Sequence, residues 1–242
     1  MSTIFHALIS KPLYNGLIFL ISALPFLDMG VIIIIFTVIV KIILLPLSVK
    51  ASKAQIEMRT TEKDLNALKE KYKDNKEQLT LKTMEYYKEK GINPFAGFIV
   101  LLVQLPILIG LYNVFIKSGL PLINSANLYS FISLPAGFNV NMVFLHLINI
   151  SEKSLILAII AGLSTYVQIS LATPKQDAGS SIQNDMAKAM ATQMKYFFPI
   201  LISFIAYSIS GALALYLITS NIFAIGQEMY IQKKYHKSAM VV

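Results

Sequence analysis

The 242-residue sequence contains no cysteine and no tryptophan, and only 14% of its residues are charged. Without cysteine, the chain forms no disulfide, carries no thiol nucleophile and offers no thiolate ligand for zinc or an iron–sulfur cluster. The low charge is equally informative, because soluble domains carry about 25% charged residues. Hydrophobic residues make up 55% of the chain, and the mean hydropathy is +0.62. The composition therefore predicts a protein that lies largely in lipid.

Signatures of common catalytic sites are also missing. The three histidines, His6, His146 and His236, lie in different regions, and no carboxylate stands near them at metal-site or triad spacing. The sequence has no phosphate-binding G-x-x-x-x-G-K-[ST] loop. We therefore predict that the protein is not an enzyme and uses neither metal nor cofactor. A small-solute transporter is disfavoured as well, because internal repeats and paired intramembrane charges are absent from the sequence.

Five apolar stretches are candidates for membrane-spanning helices. The first, 31–49, is almost entirely Ile, Val and Leu, and as a helix it is about 29 Å long, close to the thickness of a hydrocarbon core. The others are 95–116, 155–172, 196–209 and 212–231. The last two come from one stretch that is too long for a single crossing and that we divide at 208–211. The predicted fold class is an all-α integral membrane protein with five transmembrane helices.

Residues 1–28 precede the first predicted span. They make a poor secretory signal, because no charged region opens them and no A-x-A-like cleavage site follows. We predict an N-terminal amphipathic helix that lies in the membrane interface, and a sixth span is the alternative. Residues 29–242 then form the core of the protein.

Charge is concentrated in residues 50–91, which hold 11 of the 21 basic and eight of the 13 acidic residues. Strong helix formers fill two arms on either side of Asp74 and Asn75, so we predict a helical hairpin outside the membrane. Basic and acidic residues are interspersed, unlike the single-sign stripe of a nucleic-acid groove. Docking of a partner protein or of the lipid surface fits this hairpin better, and a merely solvated loop is the alternative.

The distribution of basic residues predicts the orientation of the chain. In a five-span arrangement the hairpin 50–91, the polar loop 173–195 and the C-terminal tail share one side, which carries 17 of the 21 basic residues. The other side carries Lys11, Lys117 and Lys153. The positive-inside rule then places the hairpin and the C-terminus in the cytosol and the N-terminus outside.

Lys41 is the basic residue that falls inside a predicted span. A lysine at mid-bilayer costs about 2.5–3.5 kcal/mol, and the sequence places no acidic residue at a comparable depth. We therefore predict that Lys41 faces water entering from the cytosol, although its ammonium could instead snorkel to the interface. Polar residues of other spans would line the same groove, unless they only join helices. The predicted groove residues are Lys41, Thr37, Ser48, Gln104, Gln168, Tyr216, Ser220 and Gln227.

Three segments together resemble the core of the YidC/Oxa/Alb insertase family. Residues 11–53 contain a Pro-Leu start, a glycine before an Ile-rich run to a threonine, a cation, and a second Pro-Leu before a basic helix. Residues 93–115 resemble the second core span of the family, and residues 194–227 resemble its closing hairpin. The resemblance covers nearly the whole chain, with the segments in the right order and at the right spacing.

The resemblance implies a membrane protein insertase or chaperone whose hydrophilic groove opens to the cytosol and to lipid but is closed outside. Bacterial members place an arginine of the first core span in this groove, and the matching residue here is Lys41, which keeps the charge but lacks the planar fork. The implied location is the bacterial plasma membrane. The alternative function is a small membrane scaffold or translocon accessory without insertase activity.

The partners implied by the resemblance are nascent membrane proteins and the lipid bilayer. The ribosome and the Sec translocon are further candidates, and no sequence-specific binding of nucleic acid is expected. The long basic C-terminal extension of some family members is absent, so strong independent binding to the ribosome is not expected either.

Overall fold

The computed structural model describes residues 3–91, 96–117, 127–132, 140–172 and 182–239, and most of them are helical. The helices are α1 (Thr3–Phe5), α2 (Lys11–Ala23), α3 (Met29–Thr60), α4 (Glu62–Lys71), α5 (Lys76–Glu89), α6 (Ala96–Tyr112), α7 (Leu155–Ala172), α8 (Ile182–Ile209) and α9 (Gly211–Ala239). π-Helical turns cover His6–Ser10 and Asn113–Lys117. Strands β1 (Val143–Phe144) and β2 (Ile148–Asn149) pair antiparallel. Residues 92–95, where the predicted second span begins, and residues 173–181 of the predicted loop lie outside the described residues.

Two of the described helices are long and apolar enough to cross a membrane by length and composition. They are Met29–Ala54 within α3, with a mean hydropathy of 2.9, and Leu155–Ala172, with a mean hydropathy of 2.0. At about 1.5 Å per residue they are about 39 and 27 Å long. Gln104–Phe115 is a shorter apolar helix, and the uncharged second half of α8, 196–209, is about 21 Å long.

The helices extend beyond the predicted spans, most clearly in α3 and α8. Helix α3 continues from the apolar stretch 31–49 to Thr60 with Pro46 inside it, so the first predicted span and the start of the charged hairpin are one helix. Helix α8 begins at Ile182, so residues 182–195 of the polar segment 173–195 are helical. These residues are rich in Ala, Met, Gln and Lys, which are strong helix formers. The break between α8 and α9 falls at Ser210, within the predicted 208–211.

Helix α7 packs through small residues and turns its large apolar residues outward. Ala158, Ala161 and Gly162 are buried, and a Cβ atom on Gly162 would overlap the Oγ atom of Ser203 in α8. The large residues on its opposite face, including Ile156 and Leu163, are exposed. Small residues at helix contacts and exposed large aliphatic side chains are typical of helices that pack in lipid.

The segment 141–152, which contains the short β-hairpin, forms hydrogen bonds to the starts of α3 and α9 and leads into α7. We call this segment and the helix starts around it the strand end. The backbone N–H of Met29 donates to Asn141 O (2.8 Å), that of Gly211 to Glu152 O (2.7 Å), and that of Ala212 to Ile150 O (2.8 Å). The helices α3 and α9 are thereby fixed to the segment that leads into α7. These bonds also satisfy amide groups at helix starts, which have no partner within their own helix.

The charged hairpin occupies the opposite end of α3, which we call the charged end. Asn75 caps α5, since its side-chain oxygen accepts from the Gln78 N–H at 3.0 Å. The two arms meet where the Tyr86 hydroxyl donates to Asp64 Oδ2 at 2.6 Å. This bond raises the pKa of Tyr86 to about 12.

Candidate substrate groove

Lys41 lies on the long helix α3 and bonds to an amide rather than to a carboxylate. Its Nζ donates to Gln104 Oε1 of α6 at 3.1 Å, and the side chain is partly buried. Counted along α3, Lys41 is about 18 Å from the helix start at Met29. A neutral amide satisfies one ammonium donor without neutralising the charge. The lysine therefore still attracts an anion that approaches it.

The bond to Lys41 continues into a chain of polar side chains across three helices. Gln104 Nε2 donates to the Tyr216 hydroxyl of α9 at 2.7 Å. Tyr216 is only 2% exposed, and Ser220, one turn further along α9, hydrogen-bonds to the same hydroxyl. Lys41, Gln104, Tyr216 and Ser220 thus form one connected set, and all four belong to the predicted groove.

Ser48 and Gln227 form a second link between α3 and α9, nearer to the charged end. Ser48 Oγ lies 2.9 Å from Gln227 Oε1, to which it donates, and 3.0 Å from Leu45 O. Ser48 is two helical turns from Lys41, about 10 Å along α3. A cleft of about 360 Å³ opens beside this link and is lined mainly by apolar side chains. Its lining residues are Leu45, Val49, Ile222, Phe223, Gly226, Gln227, Tyr230 and Ile231.

The two remaining predicted groove residues lie apart from this chain. Thr37 is fully buried, and its hydroxyl donates to Ile33 O of the same helix at 2.6 Å. Its hydroxyl is thus engaged within α3. Gln168 is half-buried on α7, the helix that packs between α8 and α9, and it is not a member of the Lys41 chain.

Asn221 is a polar residue that the groove prediction omitted. It is 7% exposed, and its Nδ2 donates to Thr165 Oγ1 at 2.8 Å and to Ser164 Oγ at 2.9 Å. These bonds join α9 to α7 on the side away from Lys41. The sequence does show polar residues in both apolar stretches, Asn221 in one and Ser164 with Thr165 in the other. It does not show that these residues contact each other, because that depends on the orientation of α7 and α9.

Buried polar groups also join α7 and α9 nearer to the charged end. Gln232 Nε2 donates to Leu171 O at 3.0 Å and to Glu228 Oε1 at 2.8 Å. Glu228 is buried, but it stands 12 residues beyond Tyr216 on α9, about 18 Å along the helix. Since Tyr216 is the residue of α9 that Gln104 links to Lys41, Glu228 lies too far along the helix to act as the counter-ion of the Lys41 ammonium.

A comparison of the sequence with models of protein families identifies the family of this chain. The model of the 60Kd inner membrane protein family matches residues 20–238, a range that contains all eight predicted groove residues. The chain belongs to the 60Kd inner membrane protein family. It is accordingly a membrane protein, and the helical fold described above is a membrane fold.

Individual members of the family include relatives named membrane protein insertase YidC. The one from Fusobacterium nucleatum is 34% identical over 207 residues, which cover 86% of this chain and 87% of the relative. The one from Clostridium tetani is 32% identical over 209 residues, which cover 86% of this chain and 84% of the relative. The one from Francisella tularensis subsp. novicida is 29% identical over 206 residues, but these cover only 33% of that longer protein.

Proposed function

We propose that this protein inserts hydrophobic segments of other membrane proteins, together with their short polar flanks, into the bilayer. The observation that carries the proposal is a cation inside a bundle of apolar helices that is held by an amide and lacks a carboxylate partner in the described contacts. The names of the family relatives, membrane protein insertase, support the same function.

The topology that goes with this function has five membrane spans. The spans are the apolar part of α3, then α6, α7, the second half of α8, and α9. The charged end faces the cytosol with the C-terminus, and the strand end faces outward with the N-terminus. The excess of basic residues at the charged end supports this orientation, and the protein would reside in a bacterial plasma membrane.

In the proposed mechanism, Lys41 lowers the cost of moving an acidic flank into the groove. A carboxylate about 4 Å from the ammonium gains about 4 kcal/mol at an effective dielectric constant of 20. This is comparable to the cost of about 2.5–3.5 kcal/mol for an acidic side chain at mid-bilayer. The polar residues Gln104 and Tyr216 would hold the lysine and the water around it in place.

The hydrophobic part of a client would leave the groove sideways into lipid. The cleft beside Ser48 and Gln227 is lined mainly by apolar side chains and lies between α3 and α9. An apolar segment gains about 25 cal/mol for each Å² that it removes from water, so insertion of a client helix is favourable without a nucleotide. The direct partners are then nascent membrane proteins and lipid, with the ribosome and the Sec translocon as candidate suppliers.

Insertion into liposomes tests the function itself. Purified protein is reconstituted, and a small single-span substrate with an acidic tail is scored for protection from added protease. Protection well above that of empty liposomes is expected. Protection equal to that of empty liposomes, with the protein folded and oriented, would favour a passive scaffold or a translocon accessory.

Labelling of single cysteines tests whether the groove holds water, and the absence of native cysteine leaves no background. Gln104→Cys and Ser48→Cys are expected to react with a water-soluble maleimide added from the cytosolic side. Ile43→Cys is the matched control, because Ile43 is an exposed apolar residue of the same helix α3 and would face lipid. Equal protection of all three cysteines would contradict a water-filled groove.

A further inference from the structure

A lysine ammonium lies over two neighbouring tyrosine rings where α7 and α8 meet, away from the Lys41 chain. Lys195 Nζ is 5.7 Å from the ring centroid of Tyr166 and 5.6 Å from that of Tyr196. The two ring centroids are 5.9 Å apart. Cation–π contacts at this distance hold an ammonium in place through the negative faces of the rings. We call these three residues the Lys195 cluster.

The ammonium of the Lys195 cluster keeps its hydrogen-bonding capacity. Aromatic faces attract the charge, but they do not replace the oxygen acceptors that three N–H donors require. No carboxylate of a described side chain forms an ion pair with Lys195 in the contacts of α7 and α8. A fixed cation with several donors and no anion is suited to an oxyanion such as a phosphate.

The side chains around the Lys195 cluster favour a phosphate that carries a hydrocarbon tail. Leu163 lies one turn from Tyr166 on α7, and Ile200 lies about one turn from Tyr196 on α8, both on the side toward the strand end. Their side chains are 61% and 68% exposed. An exposed apolar surface therefore lies next to the ammonium, on the side toward the strand end. A ligand with an anionic head and a hydrocarbon tail matches this order, whereas a free phosphate would leave the apolar surface without a partner.

The depth of the cluster points to the same ligand. Under the five-span topology proposed above, on which this inference rests, α8 crosses the membrane with residues 196–209, about 21 Å of helix. A hydrocarbon core is about 30 Å thick. A phosphate bound to Lys195 would therefore lie deeper than the surrounding headgroups and thin the cytosolic leaflet at this point.

We propose that the Lys195 cluster is a binding site for the phosphate of an anionic phospholipid in the cytosolic leaflet, with an acyl chain lying along Leu163 and Ile200. The site draws one headgroup inward beside α7 and α8. It is separate from the Lys41 groove and needs no client protein to be occupied.

Retention of lipid through purification tests the proposal. The full chain is incorporated into nanodiscs with equal amounts of phosphatidylglycerol and phosphatidylcholine, released into mild detergent, and its bound lipids are counted by native mass spectrometry. Wild type is expected to keep about fivefold more phosphatidylglycerol than phosphatidylcholine, the preference that one lysine near an anionic surface supplies. Lys195→Met is expected to lose this preference, and Lys195→Arg to keep it.

The controls separate this site from general attraction to basic residues. Lys233→Met removes an exposed lysine of α9 and is expected to leave the preference unchanged. Tyr166→Leu removes one ring and is expected to weaken the preference, and its circular dichroism shows whether it is folded. Equal preference in wild type and Lys195→Met would overturn the proposal.

The source of the phosphate is tested with inorganic phosphate as the competitor. Millimolar inorganic phosphate is expected to leave the bound phosphatidylglycerol in place, and its displacement would mean a site for free anions instead of lipid. Lipid retention is measured without substrate, so a negative result leaves the insertion assay unaffected. Failure of the insertion assay likewise leaves the lipid count unchanged.

Discussion

Replacement of Asn221 by leucine should loosen the contact between α7 and α9. The change keeps the approximate volume but removes the donor that reaches Thr165 Oγ1 at 2.8 Å and Ser164 Oγ at 2.9 Å. Hydrogen bonds between helices in a membrane are worth about 0.6 kcal/mol on average and at most about 1.7 kcal/mol. Loss of two such bonds should therefore lower the free energy of unfolding by about 1–3 kcal/mol.

A double-mutant cycle makes this prediction specific to the bond. Thr165→Val removes one acceptor with little change of shape, and the pair Asn221→Leu with Thr165→Val should show a coupling energy of about 0.6–1.7 kcal/mol. Unfolding is followed by circular dichroism as SDS is added to mixed micelles. Ser208→Ala is the control, because the Ser208 hydroxyl donates only to Phe204 of its own helix in the described contacts. A coupling energy of zero would refute the assignment of these bonds.

Three further predictions follow from single contacts. Gly162→Val should cost about 1–3 kcal/mol in SDS unfolding, because its side chain would overlap α8, whereas Gly226→Ala meets open space and should cost less. Gln104→Leu removes the acceptor of the Lys41 hydrogen bond. An interhelical hydrogen bond is worth about 0.6 kcal/mol, so this variant should insert acidic-tailed substrates about threefold more slowly and neutral-tailed substrates at the normal rate. Asp64→Asn should lower the pKa of Tyr86 from about 12 toward 10 in a ¹³C-tyrosine NMR titration.

The bond between Tyr86 and Asp64 makes the stability of the charged hairpin depend on pH. The pKa of Tyr86 in the folded protein, about 12, is higher than the ordinary value of about 10 for a tyrosine. The bond to Asp64 therefore contributes to hairpin stability below about pH 10, and the contribution is lost as the pH rises through 12. Helix content of the wild-type protein should fall over this range, and that of Tyr86→Phe should change less. Identical pH profiles would contradict this reasoning.

Polar side chains that connect helices could be recognised from the sequence, because few polar residues interrupt its apolar stretches. Lys41, Gln104, Tyr216 and Ser220 stand out in this way, and the structure joins them in one hydrogen-bonded chain. Thr37 also stood out, but its hydroxyl bonds to the carbonyl four residues earlier. That bond depends on the rotamer of the side chain, which the pattern of residue types does not specify.

The strand end was harder to predict. Its turn places Leu145 and His146 at positive φ, 50° and 60°, in the conformation that usually selects Asn-Gly in hairpins. The tertiary bonds between Met29 and Asn141, and between Gly211 and Glu152, hold the segment, and such long-range contacts leave no local signal. Likewise, the orientation of Asn221 toward α7 depends on helix packing.

The proposed role of the Lys41 charge is to act on acidic flanks of inserted segments, and one set of insertion rates tests this role. Lys41→Arg, Lys41→Met and wild type are reconstituted in liposomes and presented with one substrate whose tail carries aspartate, asparagine or lysine at the same position. If the insertion step retains about a third of the roughly 4 kcal/mol attraction between the ammonium and a carboxylate, or about 1.4 kcal/mol, Lys41→Met should insert the aspartate tail about tenfold more slowly than wild type. The arginine variant should insert it normally, and the asparagine tail should be unaffected by any variant. Equal rates for the aspartate tail in wild type and Lys41→Met would contradict a role of the Lys41 charge in insertion.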